Sequence, residues 1–127
     1  MSAYIKAISY HLPEKIFSNE DFFTAFPEAN SQKENYLRIG VSERHIVEEN
    51  VTASDLGVIA GLNLFKENNI KPEEIDFLLF CSLEFDYHFP SSCSIIQAKL
   101  NLPKSCGATD YNLGCSGYVY GLGIAKG

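Results

Sequence analysis

The chain has 127 residues, 46% of them hydrophobic and 20% charged, which fits one modest domain with a real core and excludes a disordered tail or a fibrous repeat. Sixteen acidic residues against ten basic ones give a net charge of -6, so electrostatic attraction to nucleic acid or to an anionic bilayer is not expected. No run approaches the roughly 18 to 20 apolar residues of a membrane span, and the opening MSAYIKAISY lacks a basic stretch followed by a long apolar one, so the default compartment is the cytoplasm.

In chain order, AYIKAISYHLPE alternates as a strand does and is ended by Pro13, which cannot donate to a ladder. Ser18 and Asp21 form a capping-box signature that opens a short helix over NEDFFTAF, closed by Pro27. Glu28 to Asn50 is polar and charged, anchored only by Tyr36, Leu37, Ile39, Val41 and Ile46, and reads as a long ordered loop on the surface. Thr52 and Asp55 repeat the capping signature. Behind them Leu56, Val58, Ile59, Leu62 and Phe65 share one half of the helical wheel, which predicts a core-facing helix ending near Asn68 and Asn69.

The run Phe77 to Cys81 in KPEEIDFLLFCS predicts a strand covered on both faces and central in its sheet. Pro90, Ser91 and Ser92 start a further helix that Pro103 stops, and CGATDYN is a short strand leading into DYNLGCSGYVYGL. The order of elements is that of a layered α/β fold with crossover helices. The last helix ends at Gly127 without capping residues or a polar tail, so the chain is expected to be the first part of something longer.

The four cysteines, Cys81, Cys93, Cys106 and Cys115, show no C-x-x-C pair and no zinc spacing, which favours reduced thiols over disulfides or a structural metal. Cys115 differs from the other three in sitting between Gly114 and Gly117 at a strand-to-helix corner. A cysteine at a helix start faces free backbone N–H groups and the positive end of the helix dipole, and both favour the thiolate. Glycines there permit a sharp turn and a close backbone approach, and an N–H at the corner can stabilise an oxyanion. From the residues alone Cys115 reads either as an acyl-accepting nucleophile or as a small packing residue. Cys81, Cys93 and Cys106 read as packing.

DYNLGCSGYVYGL, Asp110 to Leu122, resembles the active-site segment of the β-ketoacyl-acyl-carrier-protein synthase III family, a strand ending in D-x-x-x-x-C-x-G-x-x-Y-G-L. YIKAISYHLPE resembles the family's opening strand, RIGVSERHI its R-x-G-I-x-E-R-H-I loop, IKPEEIDFLLFCS the approach to its second core strand, and HFPSS its gate segment. These motifs stand in the family's order from end to end. The resemblance implies the thiolase fold: an α/β, layered, partial fold with a mixed sheet and crossover helices, residues 1–127 being an incomplete N-terminal domain of a subunit with two related halves.

The implied activity is an acyltransferase of fatty acid or related lipid metabolism. By that resemblance Cys115 takes an acyl group from a thioester and a carbanion from malonyl-acyl-carrier protein attacks it, giving a 3-oxoacyl product. Acyl-coenzyme A or acyl-carrier protein enters as substrate, no cofactor is implied, and the expected assembly is a homodimer. Phe89 matches a phenylalanine that closes the partner's acyl pocket, and Arg38 matches an arginine that packs on the adenine of coenzyme A.

The position of the family's tryptophan partner is Glu34, whose carboxylate repels phosphates, with Tyr36 close by as a substitute. Leu113-Gly114 stands where many members have Ala-Ala, which alters the pocket floor and leaves the donor open between coenzyme A and a carrier protein. None of His11, His45 or His88 matches the family's assisting histidine; that residue and an assisting asparagine are expected beyond Gly127, so the 127-residue stretch alone is expected to be inactive and to self-associate through GYVYGLGIAKG. Another thiolase-fold carbon-carbon bond-forming synthase, of hydroxymethylglutaryl or polyketide type, and a non-catalytic dimer partner subunit are the alternatives. The second is disfavoured by the presence of Cys115.

Overall fold

The computed structural model describes residues 3–127. They form two compact units, one made of the residues up to His11 with Thr52–Gly127 and the other of Leu12–Val51.

In the smaller unit the first strand, β1 (Lys15–Ser18), pairs antiparallel with β2 (Glu43–Ile46). Helix α1 (Asn19–Ala25) starts at the predicted capping box: the Asp21 amide donates to Ser18 Oγ, and the Asp21 carboxylate takes the Ser18 amide and hydroxyl. Pro27 closes α1 by opening a 3-10 turn over Pro27–Gln32, and α2 (Lys33–Ile39) follows, ended by Gly40 at φ 82°. The loop expected from Glu28 to Asn50 is thus a 3-10 turn, a helix and a strand. Its strand is fixed by pairing with β1, a tertiary contact that local hydropathy does not encode. Phe22, Phe23 and Tyr36 pack edge to face or tilted at 5.3 to 5.6 Å. The Arg44 guanidinium lies over the rings of Phe22 and Tyr36 and donates to Asn19 at 2.9 Å.

The larger unit is built on α3 (Ala53–Asn68), β3 (Phe77–Cys81), α4 (Ser92–Lys99), β4 (Gly107–Tyr111) and α5 (Gly117–Lys126). The strands β3 and β4 pair in parallel, with α4 as the crossover, in register from Phe77 opposite Gly107 to Cys81 opposite Tyr111. Buried Ile96, Leu100, Leu102 and Cys106 form the core, and Val58, Phe65, Ile75, Leu78 and Phe80 pack on it.

Helix α3 begins at the predicted Thr52 cap and ends at Asn69, which takes the left-handed conformation at φ 52°. Its packing face differs from the expectation. Val58 and Phe65 reach the core, but Ile59 and Leu62 are exposed, because α3 meets α4 through Gly57 and Gly61. A Cβ on Gly61 would stand 2.8 Å from Leu100 Cδ1, so the helices approach more closely than an apolar stripe of larger side chains permits.

Two strand expectations are also revised. Residues 3–13 form no strand and join no ladder; Ile5 and Ile8 line a half-open hollow of about 1010 Å³ with Leu64, Leu79 and Leu122 among others, and Ile8 remains 73% exposed. The segment is held instead by Ser9 to Glu67 at 2.7 Å, Asn63 to the Tyr10 carbonyl at 3.2 Å and Lys6 to Glu74 at 3.6 Å. With residues 3–13 outside the sheet, β3 is not central. Among the described residues it pairs with β4 alone, and Phe77 is exposed.

Candidate active site

The chain leaves β4 at Tyr111 and re-enters regular structure at Gly117, so Cys115 sits on the connecting turn directly before Ser116, the N-cap of α5. The turn closes on itself: the Gly117 amide donates to the Gly114 carbonyl at 2.8 Å and the Tyr120 amide to the Ser116 carbonyl at 3.1 Å. Cys115 is exposed, as a nucleophile must be, and all four cysteines are free thiols.

The surrounding strands hold this turn. The Cys81 thiol donates to the Leu113 carbonyl at 3.5 Å, and the Tyr111 hydroxyl donates to the Gly117 carbonyl at 2.9 Å. Asn112 Nδ2 donates to the Leu83 carbonyl at 2.6 Å. Of the two glycines singled out in the sequence, only Gly117 is required by space. A Cβ there would lie 2.5 Å from Cys81 Sγ, whereas one on Gly114 would make an ordinary 3.6 Å contact with Leu83. Cys81 is exposed, and its sulfur packs under the turn. Burial pushes the Tyr111 phenol up, and the neighbouring Cys81 thiol acts in the same direction.

Cys93 and Cys106 are buried, in agreement with a packing role, and desolvation raises both thiols. Two acidic residues seal the starts of α4 and α3. Asp110 accepts the amides of Ser92 at 2.8 Å and Cys93 at 2.7 Å at the start of α4, and Asp86 accepts those of Ala53 and Ser54, both at 3.0 Å, at the start of α3. Neither role was visible in the sequence, since each joins a residue to a helix 17 to 33 positions away.

The other expected site residues, Phe89 and Arg38, are carried by other elements. Phe89 lies in the loop before α4 and is 91% exposed. Arg38 lies exposed in the last turn of α2, in the smaller unit, four residues after Glu34 on the same helix. Tyr36 packs in the aromatic cluster of that unit, with the Arg44 guanidinium over its ring. His45 Nδ1 stands 2.5 Å from the Pro13 carbonyl, which ties that ring to the backbone of the smaller unit, and His88 is on the surface. Among the described residues no three His, Cys, Asp or Glu side chains come together to hold a metal, and no helix is long and apolar enough to cross a membrane.

This arrangement is that of a known fold. The chain has the thiolase-like fold in partial form: it superposes on a solved 3-oxoacyl-(acyl-carrier-protein) synthase III with a TM-score of 0.86 and 37% identity, over 96% of this chain and 36% of that one. Its sequence is similar to the N-terminal part of β-ketoacyl-[acyl-carrier-protein] synthase III. The enzyme of Campylobacter jejuni is 38% identical over 127 residues, 99% of this chain and 38% of that protein, and that of Xanthomonas euvesicatoria is 37% identical over 115 residues, 91% and 34%. The chain spans about a third of the length of the curated relatives it matches. No protein-family model matches it.

Proposed function

We propose that this chain forms the nucleophile-bearing part of a 3-oxoacyl-acyl-carrier-protein synthase of type III. The carrying observation is the exposed Cys115 on a tied turn between β4 and α5, within a stretch 38% identical to such a synthase. In the first step the Cys115 sulfur attacks the carbonyl of an acyl thioester, the donor thiol leaves with a proton, and an acyl-cysteine remains. In the second, malonyl-acyl-carrier protein loses carbon dioxide and its carbanion attacks the acyl-cysteine. The cysteine sulfur is released and the 3-oxoacyl product stays on the carrier. Splitting carbon-carbon bond formation in this way replaces one difficult step by two easier ones.

The same reading gives roles to two exposed residues. Phe89 closes the acyl pocket of the second subunit of a homodimer, and its 91% exposure leaves the ring free to do so. Arg38 packs on the adenine when coenzyme A is the donor. The Glu34 carboxylate, one helical turn from Arg38, opposes the nucleotide phosphates and favours donors delivered on a carrier protein.

The test is mass spectrometry of the intact protein after incubation with acetyl, longer acyl and malonyl thioesters, beside Cys115→Ala. The expected result is an acyl adduct on the peptide containing Cys115 that the variant lacks. An adduct on another cysteine removes the assignment.

A further inference from the structure

Cys81 and Tyr111 are opposite each other on the last rung of the β3–β4 ladder, and each is fastened to the turn that carries Cys115. Cys81 holds the Leu113 carbonyl, two residues before Cys115, and Tyr111 holds the Gly117 carbonyl, two residues after it. The fit on the side of α5 is close. Gly117 leaves the notch that the Cys81 sulfur fills, and Gly121, one turn further along, leaves the space for the Tyr111 hydroxyl. A methyl on Gly121 would strike that hydroxyl and come within 3.3 Å of the ring carbon bearing it.

We infer that Tyr111 is a positioning residue for Cys115: its hydroxyl, seated in the gap at Gly121 and bonded to Gly117, fixes the start of α5 and with it the direction in which the Cys115 sulfur is presented. The role rests on the reading of Cys115 as the acyl-accepting nucleophile. It follows from the geometry of a turn tied on both sides of its reactive residue. Acyl transfer needs the sulfur aligned on a bound carbonyl, and a misplacement of about 1 Å costs such a step on the order of 100-fold. Alkylation by a small reagent needs only an exposed thiol.

Three variants of the intact protein test this: Tyr111→Phe, Gly121→Ala and the two combined. Each is measured for the single-turnover rate of acyl transfer from an acetyl thioester to Cys115 and for the rate of Cys115 alkylation by iodoacetamide. Tyr111→Phe is expected to slow acylation on the order of 10-fold while alkylation stays within about 2-fold of wild type. Gly121→Ala is expected to slow acylation further, on the order of 100-fold, and the double variant to recover most of that further loss, because the oxygen the methyl strikes is gone and only the 3.3 Å contact with the ring remains.

Tyr111→Phe acylated at the wild-type rate overturns the positioning role alone, as does a double variant showing the product of the two single losses. Equal slowing of acylation and alkylation also overturns it, since that marks a general loosening of structure. A wild type that takes no acyl group at Cys115 overturns the reading of the nucleophile and this role with it. Should Gly121→Ala not fold, the Tyr111→Phe comparison decides.

Discussion

Asp110 accepts the Cys93 amide at 2.7 Å, so the residue at the end of the strand that leads to Cys115 also seals the first turn of α4. Both amides held by this carboxylate belong to fully buried residues, Ser92 and Cys93. Asp110→Ala leaves them without a partner and is expected to cost about 1 to 3 kcal/mol of stability. Asp110→Asn keeps one acceptor and is expected to cost less. Urea midpoints at unchanged slope check the order.

The contact of α3 with α4 through glycines gives a second ordering. At Gly57 an added methyl meets Ile96 Cδ1 at 3.3 Å, a few tenths of an ångström from comfort, and the better helix propensity of alanine offsets the strain. At Gly61 it meets Leu100 Cδ1 at 2.8 Å, and a buried core side chain must shift. Gly61→Ala is therefore expected to be the less stable of the two by roughly 1 kcal/mol. Thermal unfolding of the pair settles it, and the reverse order contradicts the packing described.

A third prediction concerns acid. The Lys99 ammonium, at 2.6 Å from Asp55, together with the amide and hydroxyl of Thr52, holds the Asp55 carboxyl at about 2, below its ordinary 3.8. A carboxylate lowered in the folded state adds stability above its unfolded value, and that contribution is lost as pH falls from about 4 to about 2. Asp21, lowered by its bonds to Ser18, and Glu74, lowered by the Lys71 amide, act with the same sign. Asp55→Asn is expected to flatten the acid limb of a melting-temperature profile over that window. A limb of unchanged steepness would contradict the lowering.

Thiol labelling separates the cysteines. Iodoacetamide is expected to modify Cys115 and Cys81 in the folded protein, and Cys93 and Cys106 only after denaturation, since the latter pair is buried and burial raises both thiols. Peptide mapping at short times reads this directly. Labelling of Cys93 at the rate of Cys115 would contradict the core described.

Local chemistry was legible in the sequence and long-range partnership was not. The capping boxes at Ser18 and Thr52, the strand at Phe77 to Cys81 and the corner at Cys115 are written in neighbouring residues, and the structure places each where the spacing puts it. The strand over Glu43–Ile46, the outward turn of Ile59 and Leu62 and the lack of a ladder at residues 3–13 depend on what stands opposite, which periodicity does not record. The candidate site divides in the same way. Cys115 stands out by its own neighbours, while the grip of Cys81 and Tyr111 on its turn follows only from a register between two strands 30 residues apart.

The absence of tryptophan gives the Tyr111 seat an optical meaning. Near-ultraviolet absorbance and emission of this chain come chiefly from its seven tyrosines, and the phenol of Tyr111 is raised by burial, so it gives up its proton later than a free tyrosine. The alkaline end of a spectrophotometric titration thus carries a signal from the residue bonded to Gly117, two positions after Cys115, and a ligand that rearranges this corner of the molecule reports itself there without an added label.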